Sequence, residues 1–392
     1  MTERAVILGA ARTPIGAFLG GLAPLRAPEL GAIAIKCAVE RSGVAPDRID
    51  EVFMGSVVQA GVGQAPARQA ALGAGLPRSV PCTTINKVCG SGLKAVMLAA
   101  SQIAAGEYGA IVAGGMESMS NAPYLLRGLR QCLPLGEHSM EDANLTDGLV
   151  DAYGGGHMGL GGEKAAATSG LTRQDQDRFA LRSYEKALAA QRSGAFADEI
   201  VPVEVNGRKG QVTHVDTDES PRETSLEALA ALKPAFKADG TVTAGNASKL
   251  NDGAAALVVA SAGRARELGA HPMARIVAQA QFAGEPDLFL LAPSGAIARV
   301  LEKAGWQAGD VDLYEVNEAF SGVEAVRREI GIAEDRFNVN GGAVALGHPI
   351  GASGARLLVT LLYALRARGK TRGVVSLCLG GGEAVALAVE AV

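Results

Sequence analysis

The feature that most limits what this chain can fold into is a repeat. Ser91-Gly92 opens a helical stretch that is followed by the apolar run Ala110–Ala113 and then Gly114-Gly115. Ser353-Gly354 opens a second helical stretch, followed by Val374–Leu377 and then Gly380-Gly381-Gly382. A small-residue helix start and a glycine-rich strand end recur in the same order. Two such copies predict two similar halves facing each other around a pseudo-two-fold axis, with their helix starts converging.

The surrounding pattern fits that reading. Ala5 to Gly9 predicts a buried strand, Pro28 to Arg41 an amphipathic helix, Val52 to Val58 a strand, Gly92 to Ala105 a helix and Ala110 to Gly114 another strand. Such alternation predicts an α/β sheet covered by helices. From Asn121 to about Leu250 the chain is richer in Gly, Pro and charge. One helix stands out there, about Thr172 to Ser193, opened by the capping-box-like Thr-Arg-Gln-Asp. The region reads as an insertion carrying loops, and from about His271 the alternation resumes. The length of 392 residues accommodates a duplicated core plus an insertion.

Composition excludes several classes. The net charge of −4 argues against a general nucleic-acid binder, while leaving local Lys and Arg free to hold a phosphorylated cofactor. Apolar runs such as Leu357 to Leu365 are too short for a membrane span. The charged Glu3 and Arg4 do not resemble a leader peptide, and Ala391-Val392 is no peroxisomal address, so a cytoplasmic protein is expected. The five cysteines are odd in number and lack C-x-x-C spacing, which disfavours disulfides and structural zinc. Cys37 and Cys132 read as buried small hydrophobes. No metal site is expected.

Four segments carry chemistry. Cys89, in Asn86-Lys87-Val88-Cys89-Gly90-Ser91-Gly92, precedes a helix whose free N–H groups and dipole favour a thiolate. By itself the segment fits equally well a helix-capping region with an incidental cysteine. His348 is held between Gly347 and Pro349 in a bent loop before a helix, and imidazole is the natural base for a thiol. Cys378 ends an apolar strand and runs into three glycines, whose N–H groups could hold an oxyanion. Asn317-Glu318 follows a strand, and an ordinary strand-end cap is the plain alternative.

Together these segments resemble the thiolases: N-x-V-C-G-S-G at Asn86–Gly92, N-E-A-F at Asn317–Phe320, G-H-P-x-G-x-S-G at Gly347–Gly354 and C-x-G-G-G at Cys378–Gly382. Ala11–Pro14, Gly114–Ser120, Ala244–Ser248 and Asn251–Ala254 also match, so the resemblance covers nearly the whole chain in order. It implies a thiolase fold of the α/β class. That fold is a duplicated five-layered α-β-α-β-α core, each half built on a mixed five-stranded sheet, with an inserted loop domain. Residues 1–120 would form the N-terminal half, completed by about 251–270. Residues 121–250 would form the loop domain for coenzyme A binding and oligomerisation, and 271–392 the C-terminal half. A homodimer, or a homotetramer assembled through part of the loop domain, is implied.

The resemblance also implies a reversible Claisen condensation of two acetyl-CoA to acetoacetyl-CoA and CoA. Cys89 would be the acylated nucleophile, His348 its base and Cys378 the base for the α-proton. One oxyanion site would comprise His348 and a water held by Asn317. The other would comprise the N–H groups of Cys89 and Gly380. Coenzyme A, as substrate and product with no tightly bound cofactor, would meet Ser248, Ala244, His157, Met158, Leu149, Phe236, Ala319, Phe320 and Arg222. The chain departs from the family pattern at Leu160-Gly161-Gly162-Glu163, at Glu383-Ala384 and at Phe289-Leu290, close to the expected acyl pocket. Three rivals remain: a degradative 3-ketoacyl-CoA thiolase for longer chains, a ketoacyl or hydroxymethylglutaryl synthase, and an inactive thiolase-like acyl-CoA-binding protein. His157-Met158 favours the short-chain type. The synthases lack a cysteine at the place of Cys378, and a dead relative should have lost Cys89, His348 or Cys378.

Overall fold

The structure is a computed structural model that describes residues 5–154, 156–207 and 210–392. Glu3 and Arg4, on which the leader-peptide reading rests, lie outside the described residues. In the first half, strands β1 (Ala5–Arg12), β2 (Glu51–Gly55), β3 (Cys82–Ile85), β4 (Ala110–Ser118) and β5 (Asn251–Ser261) pair in the order β1-β5-β4-β2-β3. Every residue of β1, β4 and β5 is buried, which is why they read as unbroken apolar runs and not as alternating ones. In the second half, β6 (Ala274–Ala283), β7 (Leu313–Val316), β8 (Arg372–Leu379) and β9 (Glu383–Ala391) pair in the order β6-β9-β8-β7. Each half begins with two antiparallel pairings and continues with a parallel one, so β6, β9, β8 and β7 repeat β1, β5, β4 and β2.

The repeat is incomplete at one edge. The first half ends on β3, parallel to β2, whereas the second has only a single parallel bridge, Tyr314 to Phe337. Five strands are therefore found in the first half alone. The cause is local. Asn338, at φ 44°, accepts from the Val316 N–H at 2.8 Å and donates to the Val316 carbonyl at 2.8 Å, so a side chain replaces the next ladder pair. Antiparallel pairing of β1 with β6 joins these nine strands into one sheet, to which the two-residue strand Gly16–Ala17 adds a tenth by pairing with β5.

Helices α1 (Ala27–Ser42) and α2 (Pro66–Gly73) cover the outer face of the first half. Helix α3 (Ser91–Ala105) packs in the middle, between the two halves. The stretch Val88–Ala105 is apolar and long enough to cross a bilayer, and just over half of it is buried in that central core. The inserted region contributes α4 (Met158–Thr168) and α5 (Arg173–Arg192). Thr172 and Asp175 close the expected capping box on α5, with each side chain accepting the other's backbone N–H. The sequence reading missed α4, because Gly159, Gly161 and Gly162 disguise it. A Cβ at those positions would lie 2.3 Å from Phe236, 2.6 Å from Phe289 and 3.1 Å from Phe320, so the glycines let the helix sit against aromatic rings. Helix α6 (Ala292–Ala304) covers the outer face of the second half, and α7 (Ser353–Ala367) lies beside α3. The layers are thus helix, sheet, helix pair, sheet, helix.

Three local expectations need correction. The strand expected over Val52 to Val58 stops at Gly55, because the N–H groups of Val57 and Val58 turn onto the Glu117 carboxylate. The strand expected to stop at Gly114 continues to Ser118. Its two glycines serve close approach, since a Cβ on Gly114 or Gly115 would lie 2.1 Å from the Ala255 or Gly351 carbonyl oxygen. Cys132 is exposed and not buried: it follows a short 3-10 turn in a projecting segment that also exposes Leu129 and Leu135.

Candidate active site

The repeat brings two helix starts face to face. A Cβ on Gly92 would lie 3.0 Å from the Gly351 carbonyl oxygen, and one on Gly354 would lie 2.5 Å from the Leu93 nitrogen. Glycine at both positions lets α3 and α7 cross backbone to backbone. The loops that precede them, carrying Cys89 and His348, are thereby drawn together. Ile350 and Leu149 share one apolar cluster with Cys89. The end of β8 enters from the side: the Gly380 N–H and the N–H of Cys89 itself both point at the Cys89 sulfur, and Cys378 faces it. Asn317 lies next to β8, donating its N–H to the Ser376 carbonyl at 3.0 Å.

The loop before α3 is strained and tied down. Val88 has φ 45°, a left-handed conformation that costs a β-branched residue energy. Asn86 Oδ1 accepts the Val88 N–H at 3.0 Å. Ser91 Oγ accepts the Lys87 N–H at 2.8 Å and donates to the Val88 carbonyl at 2.6 Å. Lys87 pairs with Glu383 at the start of β9, so the departure at Glu383 supplies an ion pair across the site.

His348 is held at three points. Its N–H donates to Asn251 Oδ1 at 3.0 Å, an approach that only glycine at 347 permits, since a Cβ there would lie 2.3 Å from that oxygen. Its Nδ1 is 2.6 Å from Ser353 Oγ, and the Ser353 hydroxyl donates to the Pro349 carbonyl at 2.8 Å. With that one proton directed to Pro349, Nδ1 is the donor to Ser353 and Nε2 keeps its lone pair. Nε2 lies 3.4 Å from Asn317 Nδ2, and Asn317 Oδ1 is buried with no partner among the described residues. Glu318 points the other way, accepting from Ser183, Asn338 and the Val344 N–H, and so anchors the His348 loop.

Electrostatics corrects one expectation. The helix start was expected to favour a Cys89 thiolate. Burial instead pushes Cys89 up to about 12, overriding the two N–H groups, with the nearby Glu117 charge adding to the rise. Burial, then the Arg356 charge, pushes His348 down to about 3. Cys378 is raised by burial and by Cys89. Cys89 therefore rests as a thiol and His348 as a neutral imidazole.

The residues expected to meet coenzyme A gather mostly at one side. His157 caps α4, its Nδ1 accepting the Gly159 N–H at 3.0 Å, and its ring stacks on Phe236 at 4.6 Å. Phe236 meets Phe320 edge-on at 6.1 Å. The Met158 Cε lies 3.9 Å from where a Cβ on Gly380 would be. The Ser248 N–H donates to the Ala319 carbonyl at 3.0 Å, and Ala247 bridges Phe320. Ala244 is exposed at the outer end of that segment. Arg222 is exposed and lies over the Tyr184 ring at 5.9 Å, a ring it shares with Lys249. Glu163 accepts from the N–H groups of Thr241 and Val242 and so anchors the same region. Sequence reasoning gave no role to Ser353, Asn251, Glu117 or Lys249. The signal for Ser353 was its spacing from His348 across a proline. No group of His, Cys, Asp or Glu among the described residues could hold a metal ion.

Comparison with known proteins agrees with this arrangement. The model of the thiolase N-terminal domain matches residues 5–263, and that of the thiolase C-terminal domain matches 270–391. An acetyl-CoA acetyltransferase of Cupriavidus necator is 52% identical over 98% of this chain and 98% of its own length. Acetyl-CoA acetyltransferase 1 of Arabidopsis thaliana is 50% identical over 98% of this chain and 93% of its own. The crystal structure of the Bacillus anthracis acetyl-CoA acetyltransferase superposes with a TM-score of 0.98 at 43% identity, covering 100% of this chain and 99% of that one. With both family models matched in order and the two converging helix starts in place, the chain belongs to the thiolase family.

Proposed function

We propose that this protein is an acetyl-CoA C-acetyltransferase that joins two acetyl-CoA molecules into acetoacetyl-CoA, and runs the reverse thiolysis, through an acetyl-Cys89 intermediate. The observation that carries this is the convergence, at the crossing of α3 and α7, of the half-buried Cys89, the buried Cys378 and the loop of a neutral His348 whose Nε2 keeps its lone pair. The Cys89 sulfur attacks the thioester carbon and its proton passes to His348 Nε2. The oxyanion lies against the N–H groups of Cys89 and Gly380. Removing such a donor typically costs ~3 kcal/mol of barrier. CoA departs with the proton of Cys378. The Cys378 thiolate then takes the α-proton of a second acetyl-CoA, and a high proton affinity suits it to that weak acid. The enolate oxygen meets the Nε2–H of His348 and a water accepted by Asn317 Oδ1. The enolate carbon attacks the acetyl group, Cys89 is expelled and recovers its proton from His348.

Met158 beside Gly380 supports the short-chain assignment, because it fills space a longer acyl chain needs. We further read the projecting segment with exposed Tyr124, Leu126, Leu129, Leu135 and Met140 as the surface that pairs dimers into a homotetramer in the cytoplasm. Light scattering at micromolar concentration tests the assembly, and a monomer refutes it. For the chemistry, brief exposure to labelled acetyl-CoA followed by peptide mapping should place the label on Cys89. Cys378→Ala should still accept that label but fail to condense. Label on Cys378 overturns the roles.

A further inference from the structure

Glu117 sits near the end of β4, completely buried, in the segment Gly114–Ser120 to which no function is assigned above. Its carboxylate accepts three backbone N–H groups. Two belong to the first half: Val57 to Oε2 at 3.0 Å and Val58 to Oε1 at 3.2 Å. The third is Gly351 of the second half, to Oε2 at 2.9 Å. Gly351 is three residues beyond His348. A Cβ on it would lie 2.6 Å from Glu117 Oε2 and 3.0 Å from the Ser56 Cα, so the His348 loop is seated directly on this carboxylate. Val57, Val58 and Ile350 form the apolar cluster that Cys89 packs against.

We propose that Glu117 is a positioning residue for acyl transfer, a clasp that fixes the His348 loop of one half against the Cys89 loop of the other. The inference rests on the acetyl-Cys89 reading above. A carboxylate is the side chain that can take three N–H groups on two oxygens while spanning both halves. A glutamine keeps the size but presents an NH₂ where an N–H must be accepted. Burial pushes the Glu117 carboxyl up to about 7 while its three N–H groups pull it down, and its ionised form works against the nucleophile, since it helps raise the Cys89 thiol. Were charge the only connection, its removal would speed acetylation; a clasp requires the opposite.

The test compares Glu117→Gln with Asp50→Asn in the full chain. Asp50 makes the same kind of contact at the other end of β4, accepting the N–H groups of Gly109 and Ala110 at 2.7 and 2.9 Å. Rapid-quench acetylation by labelled acetyl-CoA, with thermal midpoints for both variants, separates stability from alignment. For Glu117→Gln the maximal acetylation rate should fall roughly 10- to 100-fold, with the half-saturating acetyl-CoA concentration changed less than about twofold. Asp50→Asn should lower the midpoint with an unchanged rate. An unchanged or faster rate in Glu117→Gln overturns the proposal. So does an equal loss in Asp50→Asn. If Glu117→Gln does not fold, Glu117→Asp reads the same split, and failure of both to fold shows a purely structural role and also overturns it. Failure of the wild type to acetylate Cys89 refutes the reaction assignment instead.

Discussion

Ser91 opens α3 and Ser353 opens α7, and each hydroxyl reaches back into the loop before its helix. Each donates to a carbonyl there, Val88 in the first half and Pro349 in the second. They differ in what they accept. Ser91 takes a backbone N–H, that of Lys87, and so holds a strained main chain. Ser353 takes an imidazole N–H and so sets which nitrogen of His348 keeps its lone pair. The duplication supplied two equivalent sockets. One holds the backbone around Cys89, the proposed nucleophile, and the other orients His348, the proposed base.

The sharpest break between the two loops is chemical. Cys89→Ala should lower thiolysis kcat by on the order of 10⁵-fold or more, since no other group can carry the acyl chain. A steady-state assay with acetoacetyl-CoA checks it, and substantial residual turnover would move the nucleophile elsewhere.

The serines come next. Ser353→Ala should cut kcat about 10²-fold with little change in KM, because Nδ1–H loses its acceptor and the ring its orientation. Ser91→Ala should instead show mainly in stability, losing roughly 1–3 kcal/mol, with a smaller kinetic effect. Denaturant melts and rate measurements on both variants decide it. Matching profiles for the two would dissolve the contrast between sockets.

The protonation assignment can be sharpened by pH. With Cys89 near 12 and His348 near 3, the thiolate fraction is small at neutral pH and grows as pH rises. Alkylation of Cys89 by iodoacetamide should therefore rise about tenfold per pH unit between about 7 and 9. A plateau across that range would mean a preformed thiolate–imidazolium pair.

The smallest effect concerns the inserted region. Met158 and Phe289 line a cavity of about 250 Å³ beside α4's first turn. Met158→Ala should open the acyl site toward it and raise kcat/KM for six-carbon relative to four-carbon ketoacyl-CoA by about tenfold, the scale of one or two methylenes. Acetylation of Cys89 should be unaffected. A wild type that already prefers eight-carbon substrates would make the enzyme a degradative thiolase of longer chains.

Much of this was legible in the chain. The recurrence of Ser-Gly helix starts and glycine-rich segments predicted a duplicated α/β core. The motifs around Cys89, Asn317, His348 and Cys378 predicted a thiolase, because glycine spacing and reactive side chains are local properties. Helix α4 escaped because its glycines make sense only with Phe236, Phe289 and Phe320 beside them. The five strands that the resemblance implied for the second half are not all there, because Asn338 replaces the ladder of the fifth from a left-handed conformation.

The sequence by itself therefore determined the repeat and the family, and named the candidate reactive residues. The tertiary structure decided their protonation, the unprotonated nitrogen of His348, and the seating of the His348 loop on Glu117. Burial of Cys89 and His348, and the meeting of Glu117 with Gly351, join residues far apart in the chain. Desolvation and hydrogen-bond geometry depend on what surrounds a group in space, and no local pattern of residues specifies that.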